Sequence, residues 1–262
     1  MTGGPAVRVE RPEPGVGLLV LDRPDQLNVF SSAMTEALAD GVAELEDDGA
    51  IGAIVVAGEG RAFCAGADIT ELDTLEGPHA FSTFVGRLTA VFGALGSCPK
   101  PSVAALHGVA LGAGCELALA CDLRVADEKA RLGVPEIKLG LLPGAAGTAR
   151  LAKMLPSAIV KQMLMTGEPL DATAAHRIGL VNEVVAAGEG VEAAVALGAR
   201  LASMPPLALA AAKRLVDRGA LLPLDAAITL ERETVSMLFA TEDRVEGVGA
   251  FLAKRAPTFR GR

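Results

Sequence analysis

Hydrophobic and polar positions along the first half of the chain switch repeatedly between a period of two and a period near 3.6. Val7 to Glu10 and Gly17 to Asp22 read as a pair of strands joined by the turn Pro12-Glu13-Pro14-Gly15. Met34, Leu38, Val42 and Leu45 then recur at helical spacing behind a cap at Ser31 or Ser32, and Gly49 closes that segment. Ile51 to Ala57 is a short apolar strand, followed by a loop to Asp68. Phe81, Phe84, Val85, Leu88, Val91, Phe92 and Leu95 form one face of a second helix, stopped at Cys98-Pro99-Lys100-Pro101. Ser102 to Leu106, Leu123 to Ala126 and Val181 to Val185 are further strands.

From about Gly190 only helical periods remain, over Val191–Ser203, Leu207–Arg218, Leu224–Leu238 and Thr241–Lys254. The pattern predicts an α/β body over 1–190 and a helical region over 191–262 that packs on a neighbouring subunit. There is no internal repeat and no flexible linker. Pro101 to Leu123 is apolar for long enough to resemble a membrane span, but it contains Glu116, which at a bilayer centre costs about 2.5–3.5 kcal/mol on insertion scales. A buried strand, a tight loop and a helix start account for it better, so no membrane association is expected.

Composition narrows the chemistry. The 262 residues carry a net charge of −8 and neither Trp nor Tyr. An acidic chain with so few aromatic rings lacks both the cationic surface and the stacking platform of a nucleic-acid binder. It also has no tyrosine to act as acid or nucleophile. Cys64, Cys98, Cys115 and Cys121 show no C-x-x-C spacing and read as reduced thiols. The segment Met1 to Gly17 lacks the apolar core of a signal peptide, so a cytoplasmic location is expected.

Two carboxylates lie in apolar surroundings: Glu116 in Gly112-Ala113-Gly114-Cys115-Glu116-Leu117, and Glu136 in Val134-Pro135-Glu136-Ile137. Their separation of twenty positions suffices for a helix, a strand and a turn to return the second acid to the first. In one water-poor pocket their pKa values would separate into an acid and a base. The alternatives are a first-turn acid on a helix for Glu116 and a solvated turn residue for Glu136. Ala65-Gly66-Ala67-Asp68 and Gly112-Ala113-Gly114 are either plain tight turns or places where backbone N–H groups converge on a carbonyl oxygen.

Other chemistries fail on residues. Gly112-x-Gly114 has Leu117 where a dinucleotide fingerprint needs glycine, and Pro143-Gly144-Ala145-Ala146-Gly147-Thr148 lacks the lysine of a phosphate loop. His79, His107 and His176 are scattered without metal or triad spacing, and no G-x-S-x-G turn is present.

Phe63-Cys64-Ala65-Gly66-Ala67-Asp68, Lys100-Pro101, Gly108-Val109-Ala110-Leu111-Gly112-Ala113-Gly114-Cys115-Glu116-Leu117-Ala118 and Pro135-Glu136-Ile137-Lys138-Leu139-Gly140, followed by Pro143-Gly144, together resemble the enoyl-CoA hydratase/isomerase (crotonase) family. The resemblance runs from Arg23-Pro24 to Phe251-x-x-Lys254-Arg255. It implies a spiral of ββα turns followed by helices that build homotrimers or homohexamers. It also implies that the N–H groups of Ala67 and Ala113 form an oxyanion hole and that Glu116 and Glu136 are the catalytic pair. Coenzyme A would be held by Ala65, Gly66, Asp68, Ile69 and Gly112, with Phe251 and Lys254 reaching in from a neighbouring subunit.

The implied reaction is hydration of a trans-2-enoyl-CoA to a 3-hydroxyacyl-CoA, as in fatty acid β-oxidation, with the CoA thioester as substrate and no metal or other cofactor. Retention of both glutamates favours this over an enoyl-CoA isomerase, which moves a double bond with one base. A non-catalytic RNA-binding or scaffold role would need a basic helix, whereas the first helix carries Glu36, Asp40, Glu44, Glu46, Asp47 and Asp48. The chain departs from the family pattern at Val29, Thr70, Ala113, Ala146 and Ala149, changes that bear on substrate preference more than on reaction class. The segment from Thr70 to Leu95 is where the family shapes its acyl pocket, so Phe81 and Phe84 are either pocket or core residues.

Overall fold

The computed structural model describes residues 4–262, which leaves Met1 to Gly3 of the N-terminal segment outside the described residues. Strands β1 (Val7–Glu13) and β2 (Val16–Leu21) form the expected hairpin. The first strand runs past the predicted turn, because pairing resumes at Glu13 after a register shift and leaves Pro14-Gly15 as the connection. Pro12 is tolerated there because β1 is the sheet edge, where a missing N–H removes no ladder bond.

Helix α1 (Ser32–Asp47) begins at Ser31, whose hydroxyl accepts a 3.2 Å hydrogen bond from the Met34 N–H, and buries the predicted stripe. Its last carbonyls are held by a cation rather than by Gly49: Lys100 Nζ donates to Leu45 O at 2.6 Å and to Asp48 O at 2.8 Å. The chain continues through β3 (Ala53–Gly58), α2 (Ile69–Leu72), α3 (Gly77–Ser97), β4 (Ser102–Leu106), β5 (Val109–Leu111), α4 (Ala113–Ala120), β6 (Leu123–Asp127) and β7 (Arg131–Gly133). A 3-10 turn at Pro135–Leu139 leads to α5 (Gly147–Met154), α6 (Ser157–Thr166), β8 (Leu170–Asp171), α7 (Ala172–Arg177) and β9 (Glu183–Val185). Helices α8 (Gly190–Ala202), α9 (Pro206–Gly219), α10 (Leu224–Phe239) and α11 (Glu242–Leu252) complete it.

Successive ββα turns stack two sheets. The larger has the order β1-β2-β3-β4-β6-β9, parallel apart from the first pair, and the smaller has the order β5-β7-β8. Alternate residues of the large sheet enter two different cores. Leu19, Leu21, Ile54, Val56, Ala104 and Leu106 face the helices α1, α3 and α4, while Val16, Leu18, Val20, Val55, Val103 and Val125 face α8. A sheet buried on both sides reads as a continuous apolar run, which is why its strands were visible in sequence.

The packing of α8 moves the boundary expected at 190. Ala194 and Val195 are buried against the sheet, so α8 belongs to the body and the outlying helices begin after Ala202. Helix α9 is fastened to that body by Lys213, whose ammonium donates to Asp122 Oδ2 at 2.8 Å, the same oxygen that receives Ser102 N–H at 2.7 Å. The apolar run 101–123 is β4, β5 and α4, and among the described residues no single helix is long and apolar enough to cross a membrane.

Arg124 fixes the far end of α4. Its buried guanidinium meets main-chain carbonyls: Nε donates to Leu180 O at 2.6 Å, and Nη1 donates to Cys121 O at 2.8 Å and Ala118 O at 3.2 Å. The Ala118 and Cys121 carbonyls end α4, where a cation is favoured and unfilled acceptors are costly. Replacing Arg124 by Met therefore costs about 2–4 kcal/mol of folding stability. Urea unfolding checks this through a lowered midpoint at unchanged slope, and an unmoved midpoint would refute it.

Candidate active site

Two chain reversals meet at the mouth of a cavity. The first follows β3, where Cys64 bridges the small sheet: its N–H donates to Val109 O, and its carbonyl accepts from the Leu111 N–H, both at 3.0 Å. Three residues on, Phe30 and Ala67 form a parallel bridge in which Phe30 N–H donates to Gly66 O at 2.8 Å and Phe30 O accepts from Asp68 N–H at 2.9 Å. A parallel bridge uses both polar groups of one residue and neither of the other. The Ala67 N–H is thus left with no hydrogen-bond acceptor among the described residues.

The second reversal joins β5 to α4. Gly112 donates to Gly133 O at 2.9 Å and takes φ 53°, ψ −123°, a conformation open in practice to glycine alone. Ala113 then opens the helix, and the first N–H groups of a helix have no partner one turn back; the first closed bond is Glu116 N–H to Gly112 O at 2.9 Å. The reversals touch: a Cβ on Gly112 would lie 3.6 Å from Gly66 Cα and 3.2 Å from Glu136 Oε1. Behind them α4 is pressed so close that a Cβ on Gly114 would lie 2.4 Å from Cys64 O. Ala113, where the family pattern usually has glycine, buries its methyl group and keeps its N–H.

Glu116 stands one turn into α4 and is 2% exposed. Its Oε1 accepts a 2.7 Å hydrogen bond from the Gly147 N–H, at the start of α5, where a Cβ would lie 2.8 Å from that oxygen. Burial pushes its pKa up to about 7; the Gly147 amide opposes the shift, the neighbouring Glu136 adds to it, and the Ala145 amide and Arg150 oppose it more weakly. Glu136 comes from the 3-10 turn, is half-buried, and has its pKa raised by desolvation. Its Oε2 is buried without any hydrogen-bond partner among the described residues. Two carboxyls both held above the ordinary glutamate range, at one cavity, are the arrangement that lets one accept a proton while the other gives one.

The cavity has a volume of about 310 Å³. Ala65, Gly66, Ala67, Gly112, Ala113, Glu116 and Glu136 line its polar end, with Ile69 at 53% exposure on the rim. The opposite wall is apolar: Phe81, Phe84, Val85 and Leu88 of α3 face Leu141 and Leu142. Phe84 serves both readings left open by the sequence, since it is 6% exposed yet lines the cavity.

Other expected residues lie elsewhere. Asp68 is not part of the wall; its carboxylate caps α2, accepting from Thr70 N–H at 2.9 Å and Thr70 Oγ1 at 2.6 Å. Phe251, on α11, is 83% exposed, and neither it nor Lys254 lines the cavity of its own chain. Among the described residues no three His, Cys, Asp or Glu side chains come together as a metal site. Sequence reading missed the function of Pro143 to Gly147, tested only as a phosphate loop: its amides face Glu116 instead of a ligand phosphate. The signal was the small-residue run itself, which lets backbone reach a buried carboxylate.

Comparison with known proteins agrees with this geometry. The family profile described as enoyl-CoA hydratase/isomerase matches residues 11–262. A probable enoyl-CoA hydratase of Mycobacterium bovis is 40% identical over 256 residues, covering 98% of both chains. The 2,3-dehydroadipyl-CoA hydratase of Escherichia coli is 40% identical over 245 residues, covering 94% of this chain and 95% of its own. Among solved structures, the enoyl-CoA hydratase of Bacillus anthracis superposes with a TM-score of 0.94 at 32% identity, covering 98% of this chain and all of its own. Likeness in sequence and in fold thus spans both glycine turns and both carboxyls, and the chain belongs to the enoyl-CoA hydratase/isomerase family.

Proposed function

We propose that this protein is an enoyl-CoA hydratase that adds water across the 2,3 double bond of a trans-2-enoyl-CoA to give the 3-hydroxyacyl-CoA. The observation that carries the reading is the meeting of Glu116 and Glu136 at the end of the cavity where the two glycine turns touch. A double-bond shift needs one base; water addition needs a group to take a proton from water and another to supply one to carbon.

In this reading the thioester oxygen accepts hydrogen bonds from the Ala67 and Ala113 N–H groups. Negative charge grows on that oxygen as water attacks C3, so fixed donors there act on the transition state more than on the ground state. Glu116 takes the proton from water as the new C3–O bond forms, and the π electrons move toward C2 and the thioester oxygen. Glu136 then gives its proton to C2, completing a redox-neutral addition of one water molecule. A pKa of about 7 leaves Glu116 a strong enough base while much of it is still ionised at neutral pH. Burial without a hydrogen-bond donor favours the protonated form of Glu136. Ala65, Gly66, Ile69 and Gly112 would hold the CoA arm beside the thioester, and the wall of α3 would take the acyl chain.

The outlying helices complete this reading as a homotrimer or a pair of trimers. Val216, Leu224, Phe239, Phe251 and Leu252 are each more than 60% exposed on α9, α10 and α11, exposed apolar surface of the kind that marks a contact with another protein. Phe251 and Lys254 would then reach the CoA of a neighbouring copy. Sedimentation is expected to give three or six times the chain mass, and a monomer at micromolar concentration would refute the assembly.

Loss of the conjugated enoyl-thioester absorbance of crotonyl-CoA tests the activity. Glu116→Gln and Glu136→Gln are each expected to lower kcat by about 10²–10⁴ with little change in KM. An unchanged absorbance with rapid conversion of a 3-enoyl-CoA would assign an isomerase instead.

Because the folded pKa of Glu116 lies above that of the unfolded chain, its favourable contribution is complete at low pH and is lost as pH rises through about 7. Glu116→Gln should therefore stabilise the protein by up to about 3 kcal/mol at pH 8 and by little at pH 4. Urea midpoints measured at both pH values check this, and equal effects at the two would refute it.

A further inference from the structure

Arg150 is a half-buried cation without a carboxylate in ion-pair contact among the described residues. Desolvating a guanidinium without a partner is unfavourable, so its position needs a reason. Its Nη1 donates to Ala145 O at 3.1 Å, and its own N–H closes the first turn of α5 on Ala146 O at 2.9 Å. The guanidinium lies where α3 and the end of α4 come together: a Cβ on Gly96 would be 3.9 Å from Nη2 and 3.3 Å from Ala120 O.

The loop so gripped is the one that serves Glu116. Ala145 and Gly147 flank Ala146, which is held at φ 74°, a left-handed conformation that is strained for alanine. The Gly147 N–H reaches Glu116 Oε1 from that strained turn. A strained turn relaxes unless its surroundings over-determine it, and the bond from Arg150 to the Ala145 carbonyl is what holds the residue before it.

We propose that Arg150 is a positioning residue for the hydration: it locks the loop at 145–147 so that the Gly147 amide meets the Glu116 carboxylate, and its charge holds that carboxylate ionised for proton abstraction from water. This rests on Glu116 as the general base. The charged and titratable groups around Glu116 divide by element. Glu136, from the 3-10 turn, opposes ionisation, whereas Arg150, from α5, favours it. The Cys115 thiol on α4 itself is buried and neutral, with its pKa pushed up to about 12. Helix α3 turns Phe92 and Leu95 inward and keeps Arg87 outside, near Glu36. Lys138 is engaged with Glu168 at 2.8 Å. Arg150 is therefore the cation that offsets Glu136 at this carboxylate.

The test is the pH profile of kcat/KM for crotonyl-CoA in wild type, Arg150→Gln and Arg150→Lys, read alongside the titration of the Glu116 side-chain carbon by NMR in glutamate-labelled protein, assigned against Glu116→Gln. Removing a nearby cation disfavours the ionised carboxylate, so Arg150→Gln should move both the acid limb and the Glu116 titration upward by about half a pH unit or more. Arg150→Lys, which keeps the charge, should leave them near wild type. Circular dichroism confirms that the variants are folded. If Arg150→Gln does not fold, the lysine variant decides, since a shifted limb there overturns the charge role.

A uniform loss of rate across pH, with the Glu116 titration unmoved in Arg150→Gln, overturns the proposal. A moved titration with an acid limb that does not follow it supports the link between the two residues and overturns instead the assignment of Glu116 as the base.

Discussion

The meeting of the two glycine turns governs everything built around it. A methyl group on Gly112 would crowd the Glu136 carboxyl at 3.2 Å, and one on Gly66 would lie 3.3 Å from the Leu111 carbonyl that leads into Gly112. Gly114 brings α4 onto the carbonyl of Cys64 just behind them. Only side-chain-free backbone lets two separate chain reversals converge, and convergence is what turns two unremarkable unpaired amides into a potential pair. Each amide is free for an independent reason. The Ala67 N–H is on the unused side of a parallel bridge, and the Ala113 N–H is the first of a helix.

Around that point the protein accepts electrostatic costs that a purely structural core would avoid. Two carboxyls share an apolar cavity, one with an oxygen that has no hydrogen-bond partner among the described residues. Burial, more than their mutual repulsion, lifts both from the usual range, while the Gly147 and Ala145 amides and one cation restrain Glu116 from rising further. The rest of the fold absorbs the expense through a sheet buried on both faces and a helix α4 clamped at its far end by Arg124. A site that is locally unfavourable and globally supported is what a preorganised proton-transfer site requires.

The sequence disclosed those parts of the molecule whose physics is local or strongly periodic. The stripe Met34, Leu38, Val42, Leu45 and the apolar strands of the large sheet are such features, and they fold as their spacing predicts. Glu116 and Glu136 were conspicuous because acids in apolar runs are costly, and the chain between them does return one to the other through α4, β6 and β7. Strands β5, β7 and β8 have three, three and two residues, too few for any period to register. The role of residues 143–147 was hidden because backbone donors leave no trace in side-chain type. The boundary at 190 misled because a helix packed on a sheet and a helix packed on a neighbour share the same apolar stripe; only the partner face, seen in Ala194 and Val195, distinguishes them.

The most direct test of the central claim is a crystal structure with 3-hydroxybutyryl-CoA, the product expected from crotonyl-CoA. The thioester oxygen should lie about 2.7–3.1 Å from both the Ala67 and the Ala113 nitrogens, with C2 and the C3 hydroxyl between the carboxyls of Glu116 and Glu136. A thioester bound away from the two amides, or a C3 hydroxyl out of reach of both glutamates, would contradict the account.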